Sequence, residues 1–270
     1  MKTTPITIAL RTTLTLVLTL ALGCASQRPA PHPRGGNEWA GRIASAYGGH
    51  AALDRTRSIA FDFVSYEDGA EKARFHHVLA LRGGPCLYET DAATFARSPF
   101  LDDQTHTWKP IGLDVPAGRL VARVDRATRT GDVRVNGAPQ PEALVRRVVE
   151  RINNDAFWLM LPFQLDDPGV RLTEIGPVTL PDGRAATALS LGFGAEAGAT
   201  PGDRWTLFVD RSTARILKTR VDLQGSASFV EAEWRGSVKT GGLDLADERV
   251  LGKRIVRFER VSASEQRAVP

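Results

Sequence analysis

Only two cysteines, Cys24 and Cys86, occur in the 270 residues. A multi-disulfide framework of the kind that staples small secreted domains is therefore excluded, and stability has to come from an ordinary core. A membrane-spanning run is also missing: the apolar stretch Thr12 to Leu22 has 11 residues, against the roughly 20 that a spanning helix needs. Catalytic signatures are scarce as well. Lys239-Thr240-Gly241 matches one penicillin-binding element, but the chain contains no Ser-x-x-Lys to supply the nucleophile, so the match is accidental. Neither a Gly-x-Ser-x-Gly elbow, a phosphate loop nor a His-Glu-x-x-His is present. A hydrolase needs a nucleophile and base pair that the sequence does not display, and it reads as a non-enzyme. Charge of one sign is lacking too, with 35 basic against 31 acidic residues. Without Lys2 and Arg11 the balance is 33 against 31, which argues against nucleic acid as a partner. No internal repeat is found.

What the sequence does have begins at its first residues. Lys2 and Arg11 precede the short apolar run, which ends in Ala21-Leu22-Gly23-Cys24. This is the layout of an export signal, residues 1–23, and the last four letters resemble the lipobox of bacterial lipoproteins, with Ala21 in place of the usual leucine and Leu22 in place of the usual alanine. Cys24 is then expected to be the lipidated first residue of the mature chain, although Ala21-x-Gly23 also suits ordinary cleavage. Residues 24–36 carry three prolines and no large apolar side chain, the composition of an extended, semi-rigid tether. Ala25 is not the aspartate that typically retains lipoproteins at an inner membrane, so the expected location is the periplasmic face of the outer membrane. With Cys24 consumed by lipid, Cys86 has no disulfide partner.

Residues 37–261 fit one domain, with 262–270 as a frayed tail. Most of the domain alternates with period two: Ile59, Phe61, Phe63; Phe75, His77, Leu79, Leu81; Leu189, Leu191, Phe193; Trp205, Leu207, Val209. These are strands with one apolar face. Glu67-Asp68-Gly69, Asn136-Gly137, Pro181-Asp182-Gly183 and Pro201-Gly202-Asp203 are turn signals between them, so an antiparallel meander is predicted. Two stretches have helical period instead. Glu38 to Leu53 places Trp39, Ile43, Ala46 and Tyr47 on one stripe, with Asn37 as N-cap and Gly48-Gly49 interrupting it. A second runs from Pro141 at a first-turn position through Leu144, Val145, Val148, Val149 and Ile152.

His76 and His77 are neighbours on a strand and must point to opposite faces, so they cannot share a metal without a bulge. With His50 and His106 each isolated, no metal site is assigned. Asp166-Asp167 precedes Pro168-Gly169 and reads as turn chemistry, while Asp102-Asp103 reads as a loop. Cys86 lies between Gly84-Pro85 and Leu87 with no base in reach and is expected to be inert.

The helix ending in Ala46-Tyr47-Gly48-Gly49, the following strand from Ser58, and above all Asn154-Asp155-Ala156-Phe157-Trp158-Leu159-Met160-Leu161-Pro162-Phe163 with Leu165-Asp166-Asp167-Pro168-Gly169-Val170 resemble a group of little-characterised bacterial exported proteins. That group is similar to the periplasmic lipoprotein carriers LolA and LolB. The resemblance spans nearly the whole mature domain, but only the Asn154–Val170 stretch is specific, and the arginine and loop that those carriers use in cargo transfer are not recognisable here. It implies a β-dominated α+β fold, an open antiparallel half-barrel with helices on its concave, open side. It further implies a cavity for a lipid or a lipoprotein acyl chain, without any cofactor. The residues that would line it are Phe61, Phe63, Phe75, Leu79, Trp205 and Leu207 on the sheet and Phe157, Trp158, Met160, Leu161 and Phe163 on a plug over it. The same side chains would equally make a filled core, in which case the protein is a structural or sensory partner of another envelope component. Fold does not decide between the two.

Overall fold

Residues 37–266 are described by a computed structural model, apart from 99, 103–106, 110, 111, 195–201 and 226, and with backbone alone at 100–102 and 107–109. Cys24, the tether, His106 and Asp103 lie outside the described residues. In chain order the elements are α1 (Glu38–Ala46), α2 (Gly49–Arg55), β1 (Ser58–Glu67), β2 (Ala70–Ala80), β3 (Pro85–Asp91), α3 (Ala92–Arg97), β4 (Phe100–Asp102), β5 (Thr107–Lys109), β6 (Arg119–Asp125), β7 (Thr130–Val135) and β8 (Ala138–Pro139). Then come α4 (Glu142–Met160), a 3-10 turn (Leu161–Phe163), β9 (Val170–Thr179), β10 (Ala185–Phe193), β11 (Arg204–Asp210), β12 (Ile216–Asp222), β13 (Phe229–Arg235), β14 (Val238–Thr240), β15 (Leu243–Leu245), β16 (Glu248–Leu251) and β17 (Arg254–Ser264).

The expected antiparallel sheet is present and open, with 13 strands in the order β8-β7-β6-β3-β2-β1-β17-β16-β13-β12-β11-β10-β9. Its curvature follows from α4. Ten inter-strand steps separate β7 from β10, about 48 Å if the sheet were flat. A helix of 19 residues is only about 28 Å long. Yet α4 packs on β6 and β7 while its Phe157 ring lies 5.7 Å from Phe193 of β10 and 5.2 Å from Trp205 of β11. The sheet must therefore curl around the helix, which occupies the trough.

Period two does the rest. Ile59, Phe61, Phe63, Phe75, Leu79, Leu120, Val124, Leu189, Leu191, Leu207 and Phe258 are buried on the inner face against Val148, Val149, Ile152 and Ala156 of α4. The helical stripe at 38–53 breaks into α1 and α2 at the interrupting glycines. Asn37 caps α1 by accepting from the Trp39 and Ala40 amides. Gly48 has φ 103°, and a Cβ there would stand 2.3 Å from the Gly242 carbonyl, so the turn between the helices sits directly on the β14–β15 hairpin.

Three expectations need correction. The second helix does not stop near Ile152: α4 continues through Asn153-Asn154-Asp155 to Met160, so the apolar run is the helix's last turns plus the 3-10 turn rather than a separate plug. Each polar residue in that triplet finds a partner, which is why the helix survives them: Arg126 donates to Asn153, Asn154 donates to Asp155, and Asp155 meets His77. Pro141 is the N-cap and not a first-turn residue. Finally, residues 262–264 are not frayed, since β17 runs on to pair Ser264 with Ser58.

Edges of the sheet are blunted. β8 has two residues. On β9, Asn37 donates to the Leu172 carbonyl at 2.8 Å, Trp39 Nε1 donates to Glu174 at 2.7 Å, and Pro177 removes a donor further along.

Candidate functional site: the helix-filled trough

The eleven residues proposed to line a cavity all belong to the trough, but they form two groups. Near β1 and β2, Phe63 packs with Phe75, and Phe258 of β17 meets both Phe61 and Phe63 edge-on, with Leu79 buried beside them. At the other group, Trp158 lies 5.6 Å from Trp205 and 6.4 Å from Phe157, and Phe193 completes the cluster. Leu207, Met160, Leu161 and Phe163 are buried in the same core, with Phe163 edge-on to His50 of α2. Ten of the eleven are at most 7% exposed; Trp158 is partly exposed.

Between the aromatic groups runs a belt of buried polar side chains that the apolar pattern did not announce. His77, on β2, places Nε2 3.2 Å from Asp155 Oδ2 with both side chains sealed from solvent. Arg151, one helical turn earlier, is 3.7 Å from the same carboxylate and holds its guanidinium 5.0 Å above the Phe75 ring. Burial lowers the His77 pKa against the opposing pull of Asp155, so the imidazole is neutral. Tyr88 of β3, opposite His77 in register, is fully buried; its hydroxyl meets no partner among the described residues, nor does His77 Nδ1. Burial raises the Tyr88 pKa well above that of a free phenol.

Arg249 of β16 is 1% exposed. Its guanidinium lies 3.4 Å from the Trp234 ring centre and donates to the carbonyls of Trp158 at 2.6 Å, Ala246 at 3.1 Å and Glu248 at 3.0 Å. Burial holds its pKa down to about 9, which still leaves it charged at neutral pH. The Trp158 carbonyl belongs to the last turn of α4, where acceptors lack helical partners and a cation is favourable. One side chain thus fixes the end of the helix that carries the aromatic cluster. The sequence offers for Arg249 only a basic residue between Glu248 and Val250, with no way to tell inward from outward.

The two histidines do face opposite ways. His76 lies on the outer surface, 2.8 Å from Asp62, which also accepts from Arg74 and from Arg260. Despite desolvation, those donors hold the Asp62 carboxyl below its usual range. Arg260 reaches it because β17 carries an extra residue opposite β1, and Arg260 takes φ 52° at that bulge. Beside this cluster an open cleft of about 650 Å3 is lined by residues of both charges, among them Lys72, Arg74, Glu89, Asp91 and Arg119. Cys86 is buried and free, and its sulfur accepts from the Ala80 amide at 3.4 Å. Burial raises the Cys86 pKa, which keeps the thiol protonated. Asp166 lies 3.4 Å from His50, tying α2 to the segment after the 3-10 turn, a pairing that turn chemistry alone did not suggest.

The curled open sheet with a helix in its trough is the arrangement that the resemblance in residues 154–170 implied. No protein family's model matches the sequence, and no curated protein does. Among solved structures, the chain is similar to a DUF1329 family protein from Desulfovibrio piger, at 11% identity and a TM-score of 0.47 over 84% of this chain and 90% of that one. It is also similar to a LolA superfamily protein from Nitrosomonas europaea, at 9% identity and a TM-score of 0.42 over 82% and 94%. A third is a domain from Vibrio parahaemolyticus provisionally described as outer membrane lipoprotein-sorting, at 8% identity and 0.36 over 80% and 90%.

Proposed function

We propose that the protein is a non-enzymatic, exported and lipid-anchored carrier or receptor for an apolar chain, held through Cys24 at the periplasmic face of the outer membrane. The ligand, a lipid or a lipoprotein acyl group, enters the trough between the sheet and the last turns of α4. The observation that supports this is Trp158: it caps a cluster of four large rings, reaches solvent, and sits on the helix end that Arg249 holds by a backbone carbonyl. An acyl chain gains about 0.8 kcal/mol for each methylene removed from water, so partial entry already gives useful affinity.

The test is uptake of a fluorescent fatty acid by the full-length protein, wild type against Trp158→Ala. Uptake is expected to fall at least fivefold, while denaturant unfolding shows less than the ~3–5 kcal/mol loss of a fully buried tryptophan. A second reading, an envelope interaction protein with a filled core, is favoured by the burial of the other ten lining residues. A wild-type protein that takes up no probe would put that reading in front.

A further inference from the structure

Two large apolar side chains stand exposed among the described residues, Ile175 at 64% and Phe229 at 50%. Phe229 is accounted for where it lies: the Arg220 guanidinium covers its ring at 4.0 Å, and the strands around it are laced with ion pairs. Ile175 is the barer of the two. On β9, Glu174 pairs with Leu189 and Gly176 with Ala188, which leaves Ile175 as the extra residue of a bulge. No charged residue follows it until Asp182. This edge is also a poor place to add another strand, since Asn37 takes the Leu172 carbonyl, the bulge interrupts the ladder and Pro177 has no amide to donate. A partner here must be met by a side chain and not by backbone pairing.

The bare side chain lies beside the point where the N-terminal segment joins the fold. Asn37 bonds to Leu172 and Trp39 to Glu174, so the start of α1 is fastened to β9 immediately before Ile175. Residues 25–36 separate Cys24 from Asn37, and a proline-rich segment of that length reaches about 37 Å at ~3.1 Å per residue. We propose that the β9 edge at Ile175 is where the anchored domain rests on the lipid bilayer, with the isoleucine side chain at head-group depth. The inference rests on the reading of Cys24 as lipidated and adds which face the anchor turns to the membrane. Anchoring makes the contact intramolecular, so one apolar side chain holds an orientation that it could not hold from solution. A lipid interface suits this edge, because an apolar side chain enters it without directed hydrogen bonds while the strand's backbone stays hydrated. The nearby arginines suit head-group phosphates: Arg42 stacks over Trp39, and Arg171 is exposed on the same strand.

The experiment places a thiol-reactive fluorophore at Thr173→Cys or at Phe229→Cys in the full-length protein reconstituted in phosphatidylcholine vesicles. Cys86 is buried and does not compete for the label. Quenching by phosphatidylcholine spin-labelled high on its acyl chain is expected to be at least threefold stronger at 173, which is exposed beside Ile175, than at 229. Adding Ile175→Ser to the Thr173→Cys protein should remove most of that difference. Equal quenching at the two positions, or a difference untouched by Ile175→Ser, overturns the contact and leaves the anchor standing. An N-terminal peptide without lipid mass overturns the anchor and this inference together. A change in fluorescence at 173 that needs no vesicles and grows with protein concentration overturns it in favour of a second copy of the chain at this edge. If Thr173→Cys does not fold, the label goes to the exposed Thr179 of the same strand, with the same outcomes.

Discussion

Adjacent positions on β2 carry two histidines, and each meets a buried carboxylate, on opposite sides of one sheet. Outside, Asp62 gathers His76, Arg74 and Arg260, side chains that are themselves one-third or more exposed. Inside, Asp155 gathers His77 and Arg151, which are sealed. The donor types are nearly the same, yet water stands behind the partners in one case and hydrocarbon in the other. Removing the outer carboxylate releases its partners to solvent; removing the inner one strands a guanidinium where nothing can hydrate it. The lesson is that a pairing's weight is set by what its partners can fall back on.

This contrast predicts a ranking. Asp155→Ala should be the most damaging, costing about 3–5 kcal/mol in denaturant unfolding, because Arg151 is left charged in the core. Asp62→Asn should cost about 2 kcal/mol, the scale of lost hydrogen bonds to a charged group whose donors can rehydrate. Equal losses for the two would break the comparison. The smallest effect concerns pH. His77 is kept neutral in the fold by burial, so its folded pKa lies below the unfolded value of 6.5. Its contribution is complete above that value and is lost as pH falls toward the folded pKa, because the unfolded chain then takes up a proton that the folded one refuses. Between pH 6.5 and 5.5 the loss should be no more than about 1 kcal/mol. His77→Phe should flatten that part of the stability profile, with Asp155, Arg151 and His76 as the neighbouring charges that modulate it. A slope unchanged by the substitution would assign the acid sensitivity elsewhere.

The strands were legible because period two is written in Phe61, Phe63, Phe75, Leu79, Trp205 and Leu207, and the opposed histidines followed from the same period. Asn37 and the Gly48 break were legible from cap and glycine chemistry. The length of α4 was not: Asn153-Asn154-Asp155 has poor helix propensity, and tertiary partners on β2 and in the turn just after β6 offset it. Nor could the inward direction of Arg249 be read, because a basic residue between Glu248 and Val250 fits either face until its strand is placed. Asp62 looked like the polar side of an alternating strand and is instead the buried centre of a charge cluster, through a bulge that no local letter announces.

The pairing of β1 with β17 also has a kinetic side. The middle of the sheet is built from strands about two hundred positions apart, Ser58 against Ser264 and Phe63 against Phe258. Hairpins from β1 through β8 and from β9 through β16 close locally and early, but each is left with an apolar inner face and an unfilled edge, at β1 and at β16. Only β17 joins them, so the loop closed by that last strand sets the slow step of folding, as high contact order requires. A chain emerging residue by residue would hold two half-sheets with sticky edges until its final strand arrived, which makes that interval the one in which aggregation threatens most.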